Sequence, residues 1–432
     1  MLDIIKTIIS DFHKRELPDN IVGRDLTVPF NSRKVITIIG PRRAGKTFFL
    51  YSLIQHIERK IGRKRIIYID FEDERLSLDS TQLHLILDGY QQLFPETDLK
   101  DVYFFFDEIQ EIPGWEKFIR RLEGTLTKKI FITGSSSKLL SREIASALRG
   151  RTISYELFPF SFKEYLKYRE VNSEDIYSSR GKNKIIAEFE HFLFRGGYPE
   201  VFDYDDDLSV KTLQSYVDIM LYRDIIERYQ VRHIYVIKDM MRRLISNNAC
   251  IFSVHKYFND LRSRGIKIGK DTIYDFIDYF TDAYLAFQLN KYDHSLAKQE
   301  QALKKIYIND TGLGAACSFA VGQNKGRLLE TMIFLELKKS GRDIYYTGGN
   351  GECDFIIREG RKIVSAIQVC YHLNDENYDR EIRGLIPALK RFTLSEGHLI
   401  TFDQDDELET GGKKISIKPA WKWILGNTDS HR

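Results

Sequence analysis

The sequence predicts an α/β protein: a parallel sheet core, a helical middle region and a second, C-terminal α/β module. Three observations carry this. Between Val35 and Glu156 four short apolar runs, "VITIIG", "RIIYIDF", "VYFFFDEI" and "KIFITGS", alternate with stretches of helical character, the pattern of strands buried on both faces and joined by helices. From about residue 183 to 288 the strand-like runs stop and helical periodicity takes over, as in "TLQSYVDIMLYRDIIERY". From about Lys304 the apolar runs return ("KIYIND", "DIYYTGG", "CDFIIREG", "KIVSAIQVC") and mark the closing module.

Composition supports several buried cores. The 432 residues are 43% hydrophobic and 13% aromatic, enough for two or three domains. Lys plus Arg (65) exceeds Asp plus Glu (62) by only 3, which excludes a chain that binds nucleic acid by bulk charge and leaves only a local basic patch. Cys250, Cys317, Cys353 and Cys370 lie far apart without a CxxC pair. That spacing speaks against a disulfide framework and a zinc knuckle, and for reduced thiols in a cytoplasmic protein.

In chain order, residues 1–20 read as an amphipathic helix, because Ile4, Ile5, Ile8, Ile9 and Phe12 recur at helical spacing while Asp3 and Lys6 break any signal-peptide pattern. No run of about eighteen apolar residues occurs, so the expectation is a soluble protein that does not span a membrane. Residues 21–165 form the sheet core, 166–300 a helical lid and winged-helix-like region, and 301–432 the last module. "TIYDFIDYFTDAYLAFQL" resembles the last part of a winged helix, and the linkers are expected at "YDDD" near Asp205 and "KYDHSLAKQEQ" near Lys298.

The chemistry concentrates after the first strand. Gly40, Gly45, Lys46 and Thr47 fit GxxxxGK[ST] between an apolar run and the helical "FFLYSLIQHI". Residues Gly40, Pro41, Arg42, Arg43, Ala44, Gly45, Lys46, Thr47 and Phe48 would wrap a phosphate chain at a helix N-terminus, where backbone N–H groups and the dipole favour anions. Lys46 would reach the β and γ phosphates of ATP, and Thr47 would ligate Mg²⁺.

"VYFFFDEIQ" supplies the partner carboxylates: Asp107 to hold the metal with Thr47, and Glu108 to orient and deprotonate the attacking water. Thr133 and Ser135 end the next strand, where a hydroxyl can sense the γ-phosphate or cap a turn. Arg149 and Arg151 flank Gly150, as fingers offered to a neighbouring subunit or as salt-bridged surface residues. Trp115, Phe118, Ile119 and Leu122 have the spacing of core residues.

Taken together, "GPRRAGKT", "FFFDEIQEIPGWEKFIRRL", "FITGSSSKLLSREIASALRGR", "FPFSFKEYL" and "GGYPEV" resemble the prokaryotic AAA-type P-loop ATPases that carry a conserved C-terminal domain of unknown function. The resemblance spans nearly the whole chain. It implies an AAA-like core using ATP and Mg²⁺, Ser135 or Thr133 as sensor, and Arg149 or Arg151 as finger, which requires a ring or at least a dimer.

Near the C-terminus, "GRLLETMIFLELKKSGRDIYYTGGNGECDFIIREGRKIVSAIQVCYHL" resembles the restriction-endonuclease-like fold with the signature PD-(D/E)XK. Residue-by-residue matching places Glu330, Asp354 and Gln368 around a divalent metal, with Cys370 at the position of the lysine. A thiol offers no ammonium, and Gln368 replaces a charged ligand, so the expected site is degenerate and without nuclease activity. Arg262, Arg264, Lys267 and Lys270 precede a helix as the cations of a DNA reader do.

The leading functional reading is a Mg²⁺-dependent ATPase that couples nucleotide state to domain movement on a DNA or protein partner. The alternatives are an ATP-dependent regulatory switch with slow turnover and a DNA-binding protein with a residual nuclease site.

Overall fold

Ile5, Ile8, Ile9 and Phe12 fall on one side of the first helix, α1 (Leu2–Lys14), and all four are buried. The structure, a computed structural model, describes residues 1–135, 148, 150–318, 325–349 and 351–426. They divide into two units, Met1–Phe158 and Pro159–Arg432.

The first unit continues through β1 (Val35–Ile39), α2 (Lys46–Ile61), β2 (Ile66–Asp70), α3 (Leu85–Leu93), β3 (Tyr103–Asp107), α4 (Glu116–Thr125), β4 (Ile130–Gly134) and β5 (Thr152–Glu156). The strands pair in the order β2-β3-β4-β1-β5, all parallel. Alternation along each strand feeds two cores. Val35, Ile39, Ile67, Ile69, Phe104 and Phe106 face the side with α1, α3 and α4, where Trp115, Phe118, Ile119 and Leu122 are also buried. Ile36, Ile38, Ile66 and Phe105 face the side with α2. Because both faces are covered, β1 to β4 read as continuous apolar runs, while β5, at the sheet edge, is polar and largely exposed. The order sets the C-terminal ends of β1, β3 and β4 side by side, the edge at which open parallel sheets bind ligands.

The second unit begins with α5 (Phe162–Tyr168), started by a capping box between Ser161 and Glu164. It continues through α6 (Ser179–Arg195), α7 (Asp206–Ile219), a π-helical extension Met220–Glu227, α8 (Ile234–Ser246), β6 (Cys250–Phe252), α9 (Val254–Ser263), α10 (Lys270–Asp282), β7 (Ala286–Leu289), α11 (Leu296–Gln301), β8 (Lys304–Ile308) and α12 (Thr311–Cys317). The closing part is α13 (Lys325–Lys339), β9 (Asp343–Tyr345), β10 (Phe355–Glu359), β11 (Lys362–Val369), α14 (Asp375–Arg391), β12 (Glu396–Thr401), β13 (Asp406–Thr410), β14 (Lys413–Pro419) and α15 (Ala420–Gly426). It builds a mixed six-stranded sheet, β13-β14-β12-β11-β10-β9, while β6-β8-β7 form a separate antiparallel sheet of three.

Three expectations are corrected here. Lys304–Ile308 does not open the C-terminal module; it is the middle strand of the three-stranded sheet, so a boundary at residue 300 would cut the β7–β8 connection. The polar stretch near Lys298 is that connection and contains α11. The acidic run near Asp205 is no linker either: Asp205 caps α7 by accepting from the Leu208 N–H, and one core runs from Tyr198 through Leu213 to Leu313. Acidic residues that favour a loop also favour the first turn of a helix, and only packing decides between them.

"GGYPEV" has a local cause. Gly196 has φ +75°, and a Cβ there would lie 1.9 Å from the Asp310 carboxylate. Asp310 is buried and accepts from the N–H groups of Gly197 (2.7 Å), Gly312 (2.9 Å) and Leu313 (3.2 Å), tying the end of α6 to the start of α12.

Candidate functional site

The loop between β1 and α2 needs its glycines. Gly45 has φ +92°, and a Cβ on Gly40 would sit 2.0 Å from the Leu157 carbonyl oxygen. Arg43 also takes a positive φ, 65°. From outside the motif, Arg24 Nη1 donates to the Ala44 carbonyl (2.9 Å) and Nη2 to that of Phe158 (2.6 Å), fixing the loop to the body of the unit.

Lys46 opens α2, and its buried ammonium turns back over the loop. It donates to the carbonyls of Gly40 (3.3 Å) and Pro41 (3.2 Å) and lies 3.2 Å from Glu108 Oε1. Glu108 adopts a left-handed backbone, φ 47°, a conformation that costs free energy for a residue with a Cβ and aims its carboxylate at the loop. Gln110 Nε2 donates to the other oxygen of Glu108. Burial opposes the charge on Glu108, but the Lys46 ammonium, the Gln110 amide and the Arg42 guanidinium outweigh it and hold the carboxyl below its usual range.

Asp107, at the end of β3, is buried. Thr133 donates its hydroxyl to Oδ1, Tyr68 donates to Oδ2 (3.1 Å), and the Thr133 hydroxyl oxygen accepts from the Glu108 N–H (2.9 Å). Thr47 is also hydrogen-bonded to Asp107, whose carboxyl is nevertheless pushed up, chiefly by burial. Asp70, opposite Asp107 in the β2–β3 register, is raised to about 6 by burial with help from Asp107. A threonine hydroxyl and a carboxylate in direct contact at the head of the loop are hard oxygen donors, and a dication there would offset the burial cost of Asp107; the pair fits Mg²⁺.

Of the expected sensors, Thr133 touches both Asp107 and the Glu108 backbone, whereas Ser135 is buried at the end of β4. Arg149 lies outside the described residues. Arg151 is ion-paired with Glu123 in its own unit at 2.9 Å. Arg42 pairs with Glu72, just beyond β2, at 3.0 Å, and Phe48 is about half exposed. Pattern reading did not find Arg24, Tyr68, Asp70, Glu72 or Gln110, because none belongs to the loop signature. An acid at the end of a neighbouring apolar strand was the signal for Asp70, and a hydroxyl within that strand the signal for Tyr68.

The C-terminal set also converges, though not as a metal centre. Glu330 on α13 and Asp354 just before β10 approach each other, and the ammonium of Lys305, on β8, stands between them at 3.1 Å and 2.9 Å. Gln368, expected as a ligand, is hydrogen-bonded instead within the chain: its Oε1 accepts from the Asp354 N–H (3.3 Å), and its Nε2 donates to Glu381 (2.8 Å). Cys370 is buried, its thiol pushed up to about 12 by burial. Among the described residues no group of three or more His, Cys, Asp or Glu is arranged to hold a metal ion.

The cations expected to meet DNA are partly engaged. Arg264 contacts Asp239 (3.4 Å) and Asp260 (3.5 Å), and Lys270 lies 3.0 Å from His255 Nδ1. The helix that Lys270 opens, α10, exposes Asp271, Tyr274, Asp275 and Asp278 along one side. No helix among the described residues is long and apolar enough to cross a membrane.

A five-stranded parallel sheet with a glycine loop between β1 and α2, opposed by an acidic end of β3, defines a P-loop protein of the AAA type. Comparison with known proteins agrees. The family described as an AAA domain matches residues 32–166, and one described as a domain of unknown function matches residues 186–324. An uncharacterized protein of Methanocaldococcus jannaschii is 37% identical over 419 residues, 94% of this chain and 91% of that one. An uncharacterized protein of Haemophilus influenzae is 28% identical over 362 residues, 82% and 87% of the two chains. The chain belongs to the family of AAA-domain proteins that includes the Methanocaldococcus relative. Similar solved structures include the Walker-type ATPase of Pyrococcus abyssi (TM-score 0.42, 17% identity, 66% of this chain and 91% of that one). The ORC1 protein of Aeropyrum pernix in complex with DNA is another (TM-score 0.26, 12% identity, 73% and 90%).

Proposed function

We propose that this protein binds ATP with Mg²⁺ and hydrolyses it, using the cycle to move the second unit on a macromolecular partner. The observation that carries the reading is the contact of Lys46 with Glu108 at 3.2 Å beside the Asp107–Thr133–Thr47 hydrogen-bond cluster. A protein that only stores nucleotide does not need a carboxylate one residue beyond the metal aspartate, held charged in a buried position.

The residues divide the task. Backbone N–H groups of the loop cradle the phosphates, and Lys46 exchanges Glu108 and the two carbonyls for phosphate oxygens. Glu108, released from that ammonium, accepts the proton of the attacking water, and Thr133 fixes the backbone from which Glu108 projects. Thr47 and Asp107 would hold Mg²⁺, which supplies positive charge to the phosphate oxygens when bound. Arg42 and Arg151 are each ion-paired, with Glu72 and Glu123; because Arg42 lies on the loop itself, it is the described arginine we assign to the γ-phosphate, with Arg149 or Arg151 of a second copy as the oligomeric alternative.

The Lys46–Glu108 pair also favours a second reading, a switch in which ATP changes shape and slow turnover resets it: nucleotide must break that pair to bind, so occupancy alone alters the site. For the partner, we read α8, β6, α9, α10 and the β7–β8 hairpin as a winged-helix unit and the closing module as a scaffold. The exposed acidic row of α10 repels a phosphate backbone, so a protein partner is preferred over DNA.

Phosphate release from ATP, measured with duplex, single-stranded and branched DNA and with none, tests the proposal. Turnover that disappears in Glu108→Gln while ATP is still bound supports the ATPase. Partner-dependent function retained by that variant with ATP locked in place moves the assignment to the switch. Failure of the wild type to bind ATP refutes both.

A further inference from the structure

The acidic side chains that a nuclease-like pattern would give to a metal meet around a cation that the chain itself provides. Lys305 is 3% exposed, and its ammonium lies 2.7 Å from Glu352, 2.9 Å from Asp354 and 3.1 Å from Glu330. An ammonium carries three N–H donors. Here three carboxylates, from α13, the loop before β10 and the entry to β10, take one each. We propose that Lys305 is a tethered counter-ion seated where the pattern calls for a divalent metal, so that this pocket binds no such metal while the lysine is present.

Three further observations support the assignment. Two of the carboxylates are committed beyond the lysine: the second oxygen of Asp354 accepts from the Val369 N–H (3.0 Å), and the Glu330 oxygen that meets Lys305 also accepts from the Tyr307 hydroxyl (2.6 Å). The lysine is anchored, since β8 is the middle strand of its sheet and the neighbouring Tyr307 ring stacks on Phe334 at 4.1 Å. Access does not protect the site. Lys305, Glu330, Asp354 and Gln368 all line an open cleft with Arg327 and Arg380 at its walls, so what excludes a metal is the charge already present. Mg²⁺ requires oxygens at about 2.0–2.1 Å and Ca²⁺ at about 2.3–2.6 Å; an ammonium already in contact with all three carboxylates competes for those oxygens and repels a second cation at that range.

The position also explains Cys370. Where positive charge arrives from β8, position 370 has no charge to supply, and its thiol is buried in the core of the closing module. Burial alone would discharge Lys305, and the surrounding carboxylates reverse that, keeping its ammonium charged well above the ordinary lysine range.

The test uses Mn²⁺ alone on the full, nucleotide-free chain, counting bound ions by electron paramagnetic resonance. Wild type, Asp354→Asn, Lys305→Met and the double variant are compared, all with Thr47 and Asp107 intact so that any uptake there cancels. The expected result is equal binding by wild type and Asp354→Asn, one more ion per chain in Lys305→Met, and loss of that ion in the double variant. An ion bound by wild type and lost in Asp354→Asn overturns the proposal, and so does a folded Lys305→Met that gains none. Should Lys305→Met fail to fold, Lys305→Gln takes its place. Glu352→Gln, at the more exposed carboxylate, repeats the wild-type comparison.

Discussion

Two buried lysines divide this molecule. Lys46 meets one carboxylate at 3.2 Å and two backbone carbonyls at 3.2 and 3.3 Å; Lys305 meets three carboxylates at 2.7–3.1 Å. One stands at a glycine-built loop and the first turn of a helix, the other in the middle of a sheet. A lysine whose contacts are long and mostly to neutral carbonyls is ready to exchange them for phosphate. A lysine saturated by carboxylates is a fixed part of the fold. Burial alone therefore does not identify a functional cation; the charge of its acceptors and their distances do.

Breaking each pair should separate the two roles. Glu108→Gln is expected to lower ATP turnover by at least about 100-fold, the range of general-base removal, with nucleotide retention unchanged; phosphate release and fluorescent-nucleotide binding measure the two. Lys305→Met should cost about 3–5 kcal/mol of stability, because it leaves buried carboxylates without their counter-ion. Lys46→Met should cost less, about 1–2 kcal/mol, since Gln110 and Arg42 still support Glu108. Urea unfolding of the two variants side by side checks the difference, and equal losses would remove the distinction.

Smaller effects sharpen the contrast. Thr133→Val removes the hydroxyl bridging Asp107 and the Glu108 N–H. A loss of about 1.5–3 kcal/mol for a hydrogen bond to a charged group, if felt in the transition state, corresponds to a turnover drop of about ten-fold or more with the same fold.

Asp310 extends the comparison to a buried carboxylate held by backbone N–H groups. Burial raises it from 3.8 to about 6. The folded chain therefore keeps this proton more tightly than the unfolded chain. The contribution to stability is greatest below the unfolded value and is lost as pH rises through about 6. Unfolding midpoints at several pH values should show that slope in the wild type and a smaller one in Asp310→Asn, where Asp70, also raised to about 6, still contributes.

The phosphate loop and the strands of the first unit were legible because their signals are local. Spacing within eight residues, Gly40 to Thr47, sets the loop, and double-sided burial makes β1 to β4 continuous apolar runs, whereas the edge strand β5, "TISYE", is largely exposed and was not legible. The acidic run near Asp205 misled because a helix N-terminus and a linker use the same residues. Lys304–Ile308 misled because a strand's pattern does not name its sheet.

The sequence by itself determined that a phosphate-binding turn follows the first strand and that Asp107 and Glu108 end another, since backbone geometry and side-chain periodicity act over a few residues. Tertiary structure alone decided which groups complete those sites. Thr133 stands 26 positions from Asp107, and Lys305 stands 25 from Glu330 and 49 from Asp354. Electrostatic partnership depends on distance in space, and the chain fixes that distance only when its sheets are in place.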